Sequence, residues 1–182
     1  MKQLETEVLR GRFQAVLDEL LTKHLFLEQD FLWKFTTMEA EERNTLWKEL
    51  LSNGYPNNSL SQSIRNIRLV HVRDYSTLEL AIFDGQLRLS YIDSGNEKGI
   101  GNGTKMMNII CQLADNYKIP IALSTWTEKV GEENALRLVN FYRKFGFQIS
   151  SRRKDLDFEN LSNEDCIDGI PMLRQPSQTQ EK

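Results

Sequence analysis

The sequence predicts an α/β domain whose central sheet is mixed and mostly antiparallel, flanked by helices and preceded by a helical extension. Three observations predict it. From Ile67 onward short apolar runs alternate with turn residues, and Asp84-Gly85 separates two of them as a hairpin turn does. A strand-like run, Gln86 to Asp93, leads into a glycine-rich loop and then an amphipathic helical pattern. The first third of the chain instead carries apolar residues at three- and four-residue spacing.

Residues 3–23 read as a helix, with Leu4, Val8, Phe13, Val16, Leu17, Leu20 and Leu21 mostly on one face. A second helix is expected over 38–52, opening at Thr37 and closing near Gly54. Thr37 offers a cap, and Glu39, Glu41 and Glu42 place acids near the first turn. Gly54-Tyr55-Pro56-Asn57-Asn58-Ser59 is a turn or linker. The expected organisation is therefore a helical extension over 1–60 packed on a main domain over 61–175, then a disordered polar tail over 176–182. The extension carries Phe26, Phe31, Trp33, Phe35 and Trp47, so its apolar face must be covered. The main domain is the expected cover, and a second copy, making a homodimer, is the alternative.

Ile67 to Arg73, Thr77 to Phe83 and Gln86 to Asp93 read as three antiparallel strands joined by Asp74-Tyr75-Ser76 and Asp84-Gly85. Thr104 to Tyr117 reads as a helix with Met106, Ile109, Ile110 and Leu113 inward. Ile119 to Ser124 is a buried strand, expected parallel to Gln86–Asp93 through a right-handed crossover. A helix from about Asn134 is closed by Gly146, and a strand begins at Phe147. An acidic loop at 155–168 and a final strand near Pro171 to Arg174 complete the pattern.

Composition narrows the function classes. The 182 residues are 40% hydrophobic and carry a net charge of −3, which argues against nucleic acid as a partner. No apolar run reaches the length of a membrane span, and the N-terminus lacks the pattern of a signal peptide. Two cysteines, Cys111 and Cys166, fit a reducing cytosol, so a cytoplasmic location is expected. Two scattered histidines, His24 and His71, suit neither a metal site nor a Cys–His nucleophile pair, so no metal is expected.

The loop Asn96 to Thr104 carries the strongest chemical signal. Gly99, Gly101 and Gly103 alternate with other residues directly before a helix. Glycines let the backbone approach a ligand closely. The free N–H groups and dipole of the helix start then face an anion, so a phosphate-bearing ligand is expected. Two nucleotide motifs fail here. Counted from Gly99, Thr104 stands where a Walker loop needs its second glycine, and Met106 where it needs Ser or Thr. Thr104 also replaces the third glycine of a dinucleotide fingerprint, and the next strand ends in Thr125-Trp126-Thr127 rather than an acid.

Three segments together resemble the GNAT superfamily of N-acetyltransferases, over roughly residues 65–175. The first is Asn96-x-x-Gly99-x-Gly101, against the family's Arg/Gln-x-x-Gly-x-Gly/Ala pyrophosphate loop. The second is Phe141-Tyr142-Arg143-Lys144-Phe145-Gly146-Phe147, similar to the end of the family's later helix. The third is Gly169-Ile170-Pro171-Met172-Leu173-Arg174, which looks like a closing strand of such domains. Asn96 stands at the Arg/Gln position, and Lys98 can offer charge to a phosphate instead.

The resemblance implies acetyl-CoA as cofactor and acetyl transfer to a small-molecule or protein amine by direct attack in a ternary complex. It implies a cofactor site at Lys98, Gly99, Ile100, Gly101, Asn102, Gly103 and Thr104, with Asn134 and Tyr142 on the later helix. It further implies that strand 86–93 splays from strand 119–124, so that the Tyr91, Ile92 and Asp93 backbone flanks the cofactor arm. Tyr142 corresponds to the tyrosine that protonates the departing thiolate; the position equally suits a core aromatic with its hydroxyl satisfied. The general base is open among Glu79, Asp93, His71, Glu128 and Glu133, with Glu79 preferred, and each also suits an ordinary surface or structural role. Trp126, just beyond a strand end, can wall an acceptor pocket or pack as a lid. The competing reading is an inactive CoA-binding or protein-interaction module on the same fold.

Overall fold

A computed structural model describes residues 2–53, 67–96, 99–125, 132–150 and 169–177. The expected linker at 54–59, the acidic loop at 155–168, Lys98, Trp126, Glu128, Cys166 and the last residues of the tail lie outside them.

Helix α1 (Lys2–Thr22) buries Phe13, Val16, Leu17, Leu20 and Leu21, the face its spacing predicts, whereas Val8 is exposed. A short strand, β1 (Phe26–Glu28), follows, then α2 (Gln29–Thr37) and α3 (Ala40–Asn53). This corrects the expectation of one helix opening at Thr37. The Thr37 hydroxyl donates to the Lys34 carbonyl (2.8 Å), so it belongs to the end of α2 and caps nothing downstream. Met38 is extended (φ −76°, ψ 155°) and breaks the two helices apart.

Next come β2 (Ile67–His71), β3 (Thr77–Phe83) and β4 (Gln86–Asp93). β2 stops two residues short of Arg73 because the chain already turns: the Tyr75 N–H donates to His71 O (3.0 Å) and Tyr75 has φ 58°. Asp84 and Gly85 take φ 52° and 74°, the backbone of a two-residue hairpin turn. Helix α4 (Asn102–Asn116) opens two residues before Thr104, because Gly101 supplies a left-handed N-cap at φ 91°. Met106, Met107, Ile110, Cys111, Leu113 and Ala114 are buried on it; Ile109 is only partly so. β5 (Ile121–Ser124) begins later than Ile119; Ile119 is buried ahead of the strand, and the Leu87 N–H bonds Pro120 O (2.9 Å). Helix α5 (Glu132–Arg143), β6 (Gln148–Ile149) and β7 (Pro171–Arg174) complete the described elements.

Among the described residues the strands form one seven-stranded sheet in the order β1-β2-β3-β4-β5-β7-β6. Every neighbour pair is antiparallel except β4–β5, the parallel step expected of the crossover. This is the mixed, mostly antiparallel, helix-flanked GNAT-like architecture expected from the sequence. Register divides its faces. Leu69, Leu78, Leu80, Leu87 and Leu89 share one core cluster with residues of α1, α4 and α5. Leu27 and Val70, paired in register, point the other way and meet Leu32 with Phe35 and Trp47. The first fifty residues thus contribute a sheet strand and pack on both faces.

A polar clamp closes the far end. Arg174 donates twice to the Asp115 carboxylate (2.8 and 2.6 Å) and from Nε to Phe145 O (2.8 Å). Burial pulls the Asp115 carboxyl up, but bonds from Arg174 and the Ser177 N–H outweigh that and hold it below its ordinary range. A carboxyl lowered on folding adds stability that is complete above about pH 4 and lost as pH falls through the folded value. Arg174→Met is expected to cost about 2 kcal/mol at neutral pH and to flatten the loss of stability on acidification. Urea unfolding of both proteins at neutral pH and at about pH 3 checks the two effects.

Candidate functional site

The site begins with an irregularity in β4. Glu79 pairs with Tyr91, but the next residue, Leu80, pairs with Leu89, so Ser90 is an extra residue opposite the Glu79/Leu80 step. Such a bulge bends and twists its strand. The parallel β4–β5 ladder runs only from Leu87–Ile121 to Leu89–Leu123. From Ser90 to Asp93, β4 therefore has β3 on one side and no β5 partner on the other.

A cleft of about 570 Å³ lies beside this unpaired segment. Its walls are Ile92 and Asp93 at the end of β4, Ser94 just beyond, Gly103 in the first turn of α4, residues of α5 from Arg137 to Tyr142, and Lys144 in the turn after α5. The loop into α4 is held by the protein's own polar groups. Asp93 Oδ1 accepts the Gly95 N–H (2.8 Å), and Asn102 Nδ2 donates to Ser94 O (3.2 Å). Gly99 and Gly101 both have positive φ, 87° and 91°, and a Cβ on either would meet nothing within 4 Å. Their backbone conformation, not crowding, calls for glycine. No side chain caps α4, and its first intrahelical bond runs from the Lys105 N–H to Gly101 O (2.9 Å). The N–H groups ahead of Lys105 are those a helix start leaves unpaired.

Tyr142 lines the cleft and is only 6% exposed. Phe141 and Phe147 pack edge-on against its ring, at 5.2 and 5.8 Å. Among the described residues nothing hydrogen-bonds its hydroxyl, and burial pushes the phenol up to about 12. It thus keeps its proton across the neutral range.

The other expected residues fall into groups. Ile92, Asp93, Gly103 and Tyr142 line the cleft. Gly99, Ile100, Gly101 and Thr104 are exposed on the loop and first turn beside it. Asn102 is buried, with its amide committed to Ser94. The Tyr91 ring lies under the Arg68 guanidinium (5.1 Å), and register puts Glu79 on that same sheet face, not among the cleft walls. His71 is buried against Phe26, with Nδ1 2.9 Å from Asp74 but outside hydrogen-bond geometry. Asn134 is half-buried in the first turn of α5. Lys98, Trp126 and Glu128 lie outside the described residues.

Sequence reasoning passed over Ser94, Phe141, the α5 residues Arg137 and Asn140, and Lys144 in the turn after α5, all of which line the cleft. The i, i+3 spacing of Arg137 and Asn140 was the available signal. Burial pushes the Cys111 thiol up to about 11, so it stays an unreactive core thiol at neutral pH. Among the described residues no group of three or more His, Cys, Asp or Glu could hold a metal, and no helix is long and apolar enough to cross a membrane.

No protein-family model matches the chain, and no curated protein matches it. Solved structures similar to it include a putative acetyltransferase of the GNAT family from Bacteroides thetaiotaomicron, with TM-score 0.45 and 16% identity over 86% of this chain and 89% of that one. An acyl-CoA N-acyltransferase from Pseudomonas aeruginosa is similar at TM-score 0.40 and 18% identity, over 77% of this chain and 94% of that one. The anti-CRISPR protein AcrVA5 is similar at TM-score 0.39 and 16% identity, over 54% of this chain and 87% of its own.

Proposed function

We propose that the cleft binds acetyl-CoA and that the protein is an N-acetyltransferase acting on an amine. The observation that carries this reading is Tyr142, a largely buried tyrosine with no hydroxyl partner among the described residues, in a cleft that opens where β4 leaves β5 and α4 begins. Acetyl-CoA supplies a thioester that is already activated, so the protein's task is positioning and charge stabilisation. The N–H groups from Gly101 to Thr104 hold the pyrophosphate, helped by the α4 dipole. The unpaired β4 backbone beyond Leu89 offers hydrogen bonds to a cofactor arm laid in the gap. Tyr142 holds a proton at Oη for the leaving sulfur.

One observation favours a second reading, a CoA-binding module without transfer. The carboxylate that lines the cleft, Asp93, already accepts the Gly95 N–H, and Glu79 serves as base only for an amine that approaches from the Arg68–Tyr91 face. Calorimetric titration with acetyl-CoA, followed by turnover against a panel of amines, separates the readings. The wild type is expected to bind in the micromolar range, and Gly101→Arg to lose at least tenfold in affinity while remaining folded. Binding without turnover of any amine selects the second reading, and absence of binding by the folded wild type removes both.

A further inference from the structure

We propose that Arg137 and Lys144 form a recognition site for a phosphomonoester dianion, which makes the cleft selective for CoA carrying its ribose 3′-phosphate over the 3′-dephospho form. The inference rests on the acetyl-CoA reading of the cleft and adds to it the residues that choose between two forms of the ligand.

Charge is the first support. The chain carries a net −3, yet the described ionisable groups of the cleft are Asp93, Arg137, Tyr142 and Lys144. Asp93 is engaged by the Gly95 N–H. Among the described residues Arg174 pairs with Asp115 and Lys23 with Glu19, whereas Arg137 and Lys144 have no acidic partner. The cleft thus sets two cations against the single carboxylate of Asp93, in an acidic protein.

Placement is the second. Arg137 and Phe141, at i and i+4, share one stripe of α5, and Lys144 stands in the turn directly after the helix. The Phe141 ring tip would lie 3.9 Å from a Cβ on Gly103, so this stripe abuts the first turn of α4. Four residues of helix, from Arg137 to Phe141, rise about 6 Å, and Lys144 follows in the turn, so two long flexible side chains can approach one group from either side of Phe141. The polarity of the cleft is also graded. Tyr142 is the most buried of its lining residues, at 6% exposed, while Arg137 and Lys144 are exposed. A ligand with an uncharged reactive end and a dianionic far end fits that order. A phosphomonoester carries close to two negative charges at neutral pH, matching the two cations.

The test is calorimetric titration of the full chain with CoA and with 3′-dephospho-CoA, for wild type, Arg137→Gln, Lys144→Gln and the double variant. The wild type is expected to prefer CoA by roughly tenfold, as two solvent-screened contacts would give. Each single variant is expected to lose part of that preference, and the double variant to bind both ligands at the wild type's dephospho affinity. The preference should also shrink with added salt. A preference retained in the double variant overturns the inference, as does equal wild-type affinity for both ligands; in either case the acetyl-CoA reading stands. Failure of the folded wild type to bind either ligand overturns that reading and the inference with it.

Discussion

Tyr142→Phe is expected to lower kcat by roughly 10²- to 10³-fold and to leave the fold at least as stable as the wild type. The two halves have one cause. The ring is buried, and the hydroxyl, among the described residues, is bonded to nothing, so it adds no hydrogen bond within the fold. Removing it spares the ring contacts to Phe141 and Phe147, which Phe reproduces. Removing a structural hydroxyl would do the opposite, costing stability with little effect on kcat. Because burial pushes the phenol up to about 12, its proton stays in place through neutral pH. The wild-type rate should therefore show no loss of the donor below about pH 10. Steady-state kinetics over pH with a reactive amine, beside urea unfolding, decides between the roles; unchanged kcat in the Phe variant would remove Tyr142 from the chemistry.

The largest effect on stability is expected from Gly95→Ala, at least about 3 kcal/mol. Gly95 has φ 76°, and an added Cβ would collide with the Asp74 carbonyl oxygen and lie 2.8 Å from Ser76 N and 2.9 Å from Tyr75 C. These atoms are backbone in a turn that cannot move freely. Asp74 accepts the Ser76 N–H there (2.9 Å), and its carbonyl accepts the Asn96 N–H (3.3 Å). Gly101→Ala is the informative contrast: the same positive φ in open space, with an expected cost of about 1 kcal/mol. Equal denaturation midpoints for the two variants would show that φ alone matters and that the β2–β3 turn yields. Since Asn96 starts the glycine loop, the Gly95 variant should also weaken ligand binding.

Much of the frame was legible because it follows local periodicity. β3 and β4 match the expected boundaries, since alternating apolar residues flank an Asp-Gly turn, and β7 does as well. β1 was not legible: three residues cannot establish a period, and Phe26–Glu28 is a strand because the edge of β2 accepts it. Thr37 carried a cap's chemistry but sits at a helix end, a tertiary decision that no propensity reports. The site divides in the same way. The glycine loop and the Tyr142 helix stand out by residue type, whereas the bulge at Ser90 that opens the cleft leaves no compositional trace. Arg137 and Asn140 were visible only as the polar side of an amphipathic helix, which most helices have, and Lys144 only as a polar residue in the turn after it.

The position of β7 between β5 and β6 has a consequence for how the chain is made. On the ribosome, β4 and β5 can pair soon after α4 has formed, but β5 then presents an open edge. Its antiparallel neighbour, residues 171–174, arrives only after β6 and a long intervening stretch have been synthesised. Until then a run of apolar strand, Ile121 to Leu123, is available to other nascent chains. Late pairing across so large a sequence separation is also slow. Yield and solubility on expression should therefore be governed by the closing strand, which contributes no residue to the cleft walls.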